Sequence, residues 1–74
     1  METQEMVNQL NVIQLSEDKE FLECWNNGTR VYTVHIGGQL KDAVSRAQEW
    51  FRKWSGGAAR LSKIVAALLA HEAA

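Results

Sequence analysis

The chain has no proline and one cysteine, Cys24, and no apolar run approaches the roughly 18 residues of a membrane span. A single thiol cannot form an internal disulfide, so a reducing compartment is expected. The absence of proline leaves glycine and asparagine as the residues that must turn the chain. The two histidines, His35 and His71, lie far apart in sequence, and no metal-ligand spacing, serine-histidine-aspartate order or phosphate loop is present. Gly37-Gly38 before a helix lacks the following lysine of a phosphate loop and reads as a plain turn. The expectation is therefore a protein that is not an enzyme and carries no catalytic residues, metal or cofactor. The opening Met1-Glu2-Thr3-Gln4-Glu5 is acidic and polar, unlike a secretory signal.

What is present fits one small domain over residues 1–74. Apolar residues make up 46% of the chain, too many for a disordered segment. A domain of this size buries only about 60% of its unfolded surface, so modest stability is expected. The net charge is −1, but the halves differ. Residues 1–36 hold six acids against Lys19 and Arg30, a net −4; residues 37–74 hold six bases against three acids, a net +3. Such asymmetry bears on the choice of partner.

Residues 1–9 show no period and are expected to be frayed or helical. Residues 10–15 read as a strand with Leu10, Val12 and either Ile13 or Leu15 facing inward, and residues 16–19 as a turn. Phe21–Trp25 and Arg30–Ile36 then form a hairpin about Asn27-Gly28, the strongest short-range hairpin signal in the chain. Two registers are open. A two-residue loop sets Trp25 opposite Arg30 and Phe21 opposite Val34. A three-residue loop with a bulge at Gly28 puts Leu22 and Cys24 on the face of Tyr32 and Val34, which is the cleaner apolar face and the expected one. His35 then faces away from Tyr32.

After Gly37-Gly38 a helix is predicted from Gln39 to Trp54. Leu40, Ala43, Val44, Ala47, either Trp50 or Phe51, and Trp54 line one face, with Asp42–Arg46 and Glu49–Lys53 as outer ion pairs. Gly56-Gly57 ends it. A second helix is predicted over Ala58–His71, with Leu61, Ile64, Val65, Leu68 and Leu69 inward. The expected fold class is α+β: a three-stranded antiparallel sheet (β-β-β) covered on one face by two antiparallel helices (α-α). Phe51 and Leu68 are expected in the core. Trp50 and Trp54 are expected mostly in the core, whereas Trp25 sits at the hairpin tip, pointing away from the helices in the bulged register, as either a cross-strand packing residue or a binding anchor. Arg46, Arg52, Lys53, Arg60 and Lys63 form a basic helix face, expected to be solvated.

The run Trp25-Asn26-Asn27-Gly28-Thr29-Arg30-Val31 resembles the aromatic-x-Asn-Gly-Ser-Lys-Ile hairpin of the first described family of type I-F anti-CRISPR proteins. Glu49-Trp50-Phe51, Ser55-Gly56 and Arg60 are similar to that family's Ser-Trp-Phe, Ser-Gly and Arg at matching spacing. The resemblance covers about residues 10–72, and this chain is shorter between hairpin and first helix, where the family has a further strand segment. It implies a sheet with two antiparallel helices. It also implies a phage-encoded inhibitor that acts in the host bacterial cytoplasm. Such an inhibitor binds the Cas7-type backbone of a CRISPR surveillance complex and blocks pairing of target DNA with the guide. The family's contact aromatic before the turn corresponds to Trp25. Its first-strand tyrosine is replaced here by Gln14, and its glutamate at the end of the second arm by Ile36. The partner-binding set expected from residues and resemblance together is Trp25 and Glu23, then Glu20 and Tyr32, with Gln14 and Ile36 at the substituted positions. A monomer is expected, with no direct nucleic-acid or membrane contact. The alternatives are a small DNA-binding phage regulator using the basic helix face, and an interaction module of unrelated function.

Overall fold

The computed structural model describes residues 10–73; the expectation for residues 1–9 lies outside them. Strand β1 is Asn11–Leu15, β2 is Phe21–Asn26 and β3 is Thr29–His35. Helix α1 is Leu40–Ser55, β4 is Arg60–Leu61 and α2 is Lys63–Ala73. The strands form one sheet in the order β3-β2-β1-β4. The first three are antiparallel, and β4 pairs in parallel with β1, Val12 opposite Arg60 and Ile13 opposite Leu61. The sheet is thus four-stranded and mixed, where the sequence reading gave three antiparallel strands. Among the described residues no helix is long and apolar enough to cross a membrane.

The hairpin combines both registers. Asn27 (φ 52°) and Gly28 (φ 81°) make a two-residue turn with positive φ at both positions, so Asn26 pairs with Thr29 and Trp25 with Arg30. The register then shifts between Cys24 and Trp25, leaving Val31 as the extra residue of a bulge. From there Cys24 faces Tyr32 and Leu22 faces Val34. The bulge belongs to Val31 rather than Gly28, and it turns the apolar face of the arms toward the helices while the tip keeps the tight turn.

Ile13, Leu22, Cys24 and Val34 from the sheet meet Leu40, Ala43, Val44, Ala47 and Phe51 of α1 and Val65 of α2 in one buried cluster. Because side chains alternate along a strand, burial of Ile13 and Cys24 fixes Val12, Gln14, Glu23 and Trp25 on the opposite face. Val12 therefore faces away from the helices, correcting the expectation. Burial pushes the Cys24 thiol up to about 11, which leaves it protonated and unreactive at neutral pH.

The second helix begins five residues later than expected. Gln48 of α1 clamps the preceding segment with two hydrogen bonds, donating to the Ala59 carbonyl at 2.8 Å and accepting from the Ala59 N–H at 2.7 Å. Ser62 then caps α2, its hydroxyl accepting from the Val65 N–H at 3.3 Å. Val65 is buried and Leu69 is partly buried, but Ile64 and Leu68 stay exposed, Leu68 at 41%, so Leu68 is not a core residue. The Asp42–Arg46 and Glu49–Lys53 pairs do not form either. Arg46 instead donates to the His35 carbonyl at 2.9 Å, and Arg30–Glu23 is the one salt bridge among the described residues.

The far end of α2 completes α1. Gln39 provides no side-chain cap. The Glu72 carboxylate takes that role, accepting from the N–H groups of Leu40 at 2.8 Å and Lys41 at 2.9 Å. Two otherwise unpaired donors and the positive end of the helix dipole meet one anion. Glu72→Ala should therefore cost about 1–2 kcal/mol. A urea denaturation curve with a lower midpoint and unchanged slope would show it. An unchanged midpoint would mean that water replaces the carboxylate at no cost.

The β1–β2 turn is held by a local network. The Ser16 hydroxyl donates to Asp18 Oδ1 at 2.7 Å and the Glu20 N–H donates to the same oxygen at 3.1 Å. The Ser16 hydroxyl bond, with the backbone bond behind it, holds the Asp18 carboxyl below its ordinary value of 3.8. A carboxylate depressed in the folded state contributes stability above its unfolded pKa and loses it as pH falls through the folded one. The Asp18 carboxyl carbon should therefore titrate below the ordinary value in an NMR pH series, and Ser16→Ala should move it back up. An Asp18 titration that Ser16→Ala leaves unchanged would contradict the turn geometry.

Candidate functional site

Among the described residues, the helices cover one face of the sheet and leave the other open. The β-alternation places Phe21, Glu23 and Trp25 of β2 on that open face, beside Val12 and Gln14 of β1. On β3 the bulge keeps Arg30, Thr33 and His35 on the same side. Phe21 and His35 face each other across the two strands with ring centres 5.2 Å apart.

Glu23 is the centre of this face. Its Oε1 accepts from the Trp25 indole Nε1 at 3.2 Å and its Oε2 from an Arg30 guanidinium nitrogen at 3.3 Å. The Glu23 side chain is only 18% exposed, against 55% for Arg30. The carboxylate therefore works as a brace. It fixes the orientation of the Trp25 ring and neutralises Arg30, and it presents little free negative charge outward. Two shallow depressions meet at Glu23. One, of about 370 Å³, is lined by Leu10, Val12, Gln14, Glu23, Trp25 and Gly28. The other, of about 400 Å³, runs from Glu23 and Arg30 to Phe21 and the acidic turn at Glu17 and Asp18.

The structure thus brings together three of the six expected residues. Gln14 pairs directly with Glu23, and Trp25 lies one step along the same face. Glu20 is exposed at the start of β2, in the acidic turn. Tyr32 and Ile36 do not join them. The Tyr32 ring stacks on Trp50 of α1 at 4.6 Å, nearly coplanar at 2°, which places it on the helix side. Ile36 is half-buried against the core, beside Leu15 and Leu40. The shift of register at Val31 separates both from the open face.

Sequence reasoning missed Arg30 as the partner of Glu23. The signal was available: with a two-residue Asn27-Gly28 turn, Arg30 falls opposite Trp25, diagonal to Glu23. It also missed the polar link at the hairpin tip. Buried Asn11 donates to the Ser55 hydroxyl at 2.8 Å and accepts from the Asn26 side chain at 2.8 Å, tying the tip of the open face to the end of α1. Among the described residues no group of three His, Cys, Asp or Glu side chains is placed to hold a metal ion. No family model matches this chain, and neither a curated protein nor a solved structure shows significant similarity to it.

Proposed function

We propose that this chain is a small non-catalytic inhibitor, of phage or mobile-element origin. It docks through its open sheet face onto a type I CRISPR surveillance complex, on the Cas7-type backbone, and blocks target-DNA recognition. The observation that carries the reading is the braced Trp25. A large, half-buried aromatic stands beside the Asn27-Gly28 turn on the face away from the helices, its indole N–H held by Glu23. An anchor fixed before binding loses little side-chain freedom on docking. The exposed acids Glu17 and Asp18 line the depression at the other end of the same face. Acid and aromatic together suit the basic channel of a protein that holds nucleic acid. The hairpin resemblance supplies the particular partner. Two antiparallel helices, as in that family, agree with Glu72 of α2 reaching the start of α1. We take the inhibitor to be a monomer acting in the host cytoplasm without a cofactor.

The test adds the purified protein to purified type I surveillance complexes and measures target-DNA binding by gel shift. Loss of DNA binding near stoichiometric inhibitor, with the protein co-eluting with the complex, is expected. No association with any type I complex overturns the reading. Tight binding of duplex DNA by the protein alone, falling steeply with salt, would mark a DNA-binding regulator instead.

A further inference from the structure

A second surface, on the far side of the sheet from Trp25, is built from three rings. Tyr32 stacks on Trp50 at 4.6 Å, and Trp50 on Trp54 at 5.0 Å with 15° between planes. Phe51, fully buried, meets Trp50 edge-on at 5.3 Å and fastens the stack to the core. Trp50 is the middle ring and is half-buried. The two end rings are open: Tyr32 is 43% exposed and Trp54 50%. Large rings at the end of a stack are ordinarily covered, because their burial is strongly favourable. Here both end rings keep close to half of their surface in water.

Charge decides what fits them. Arg46 lies four residues before Trp50 and Lys53 three after it, so helical spacing sets both beside the stack. Both are exposed, and neither has a carboxylate within salt-bridge distance, since Asp42 and Glu49 do not pair with them. The Arg46 guanidinium bonds the His35 carbonyl, which orients its charge, and no described carboxylate lies within salt-bridge distance of it. A ligand with a flat π-face and a negative charge close to it is attracted on both counts. A nucleotide in a single strand has both, whereas the bases of a duplex are already stacked on one another.

We propose that the Tyr32–Trp50–Trp54 stack, with Arg46 and Lys53 beside it, binds single-stranded nucleic acid by continuing its ring stack onto an exposed base. This surface is separate from the inhibitor face and goes beyond that reading. Phosphates lie against Arg46 and Lys53, and every base has a π-face, so the contact is tolerant of sequence. Two cations release the counterions of about two phosphates. The salt dependence is therefore shallow, with a log–log slope of about −1.4 for a single strand.

The test is a tryptophan-fluorescence titration of the isolated protein with oligo-dT, oligo-U and a duplex of equal length, at low and moderate salt. Quenching by both single strands, and at least tenfold weaker binding of the duplex, is expected. Trp54→Ala should weaken single-strand binding about tenfold, and Trp54→Phe should restore most of it. Arg46→Gln should flatten the salt slope. Trp54 is half exposed, so its truncation leaves the fold intact by circular dichroism. The proposal is overturned by no quenching, by duplex binding equal to single-strand binding, or by a folded Trp54→Ala of unchanged affinity. It is also overturned if sedimentation shows the stack closing on a second copy of the chain and excluding the oligonucleotide. No surveillance complex enters the experiment, so its failure is distinct from failure of the inhibitor reading.

Discussion

Phe51→Ala is expected to remove about 3–4 kcal/mol of folding stability, the largest effect of any single truncation considered. Phe51 is the largest fully buried side chain, with no exposed surface, and it sits among Ile13, Leu22 and Val65 where sheet and both helices meet. Removing the ring loses its transfer free energy and leaves a cavity that the α1 backbone cannot collapse into. A domain of 74 residues has a total stability of about 4–11 kcal/mol, so the variant stands near the edge of folding. The comparison that checks it is Leu68→Ala. Leu68 is 41% exposed and should cost under about 1 kcal/mol. Urea midpoints of the two variants should separate clearly, and equal midpoints would contradict the placement of α2.

Trp25→Ala should leave the fold intact and abolish most partner binding, weakening it by about 2 kcal/mol or more. Trp25 lies on the uncovered face, outside the buried cluster, so its loss opens no core cavity. It does release Glu23, whose Oε1 loses the indole N–H while Oε2 keeps Arg30. The brace can be tested separately. Glu23→Gln keeps the shape but weakens both bonds, and should reduce binding by less than Trp25→Ala does. Arg52→Ala and Lys53→Ala should change inhibition little. The measurement is inhibition of target-DNA binding by the surveillance complex, with folding checked by circular dichroism. If folded Trp25→Ala keeps full activity while the helix variants lose it, the open sheet face is not the working surface.

Much of the architecture was legible because its signals are local. Asn27-Gly28 dictates a tight turn, since few other residue pairs accept positive φ twice. Gly56, at φ 78°, ends α1 for the same reason. The 3.6-residue spacing of Leu40, Ala43, Val44 and Ala47 identified the face that is buried, left Phe51 open against Trp50, and wrongly carried it on to Trp54, which is half exposed. The order of the first three strands and of two later helices followed from such signals.

The rest depends on residues distant in sequence. β4 has two residues, too few for a period, and exists because Gln48 holds Ala59 and the β1 edge accepts Arg60 and Leu61. Placing it moved the start of α2 to Lys63, and the helix turns Val65 and Leu69 rather than Leu68 to the core, although the Ser62 cap was there to be read. Glu72 and Leu40 are 32 residues apart, so no local rule links them.

For the open face the division is equally clear. The sequence by itself determined that Trp25 stands beside a turn, and that Glu23 and Trp25 share a side of one strand, because that follows from a period of two. Only the tertiary structure decided that Gln14 joins them while Tyr32 and Ile36 do not. The bulge at Val31 sets which side β3 presents, and bulge position depends on how helices and sheet pack together. Only packing, too, turned three separate aromatics into one stack, because Tyr32 meets Trp50 across 18 residues of chain that the sequence pattern does not close.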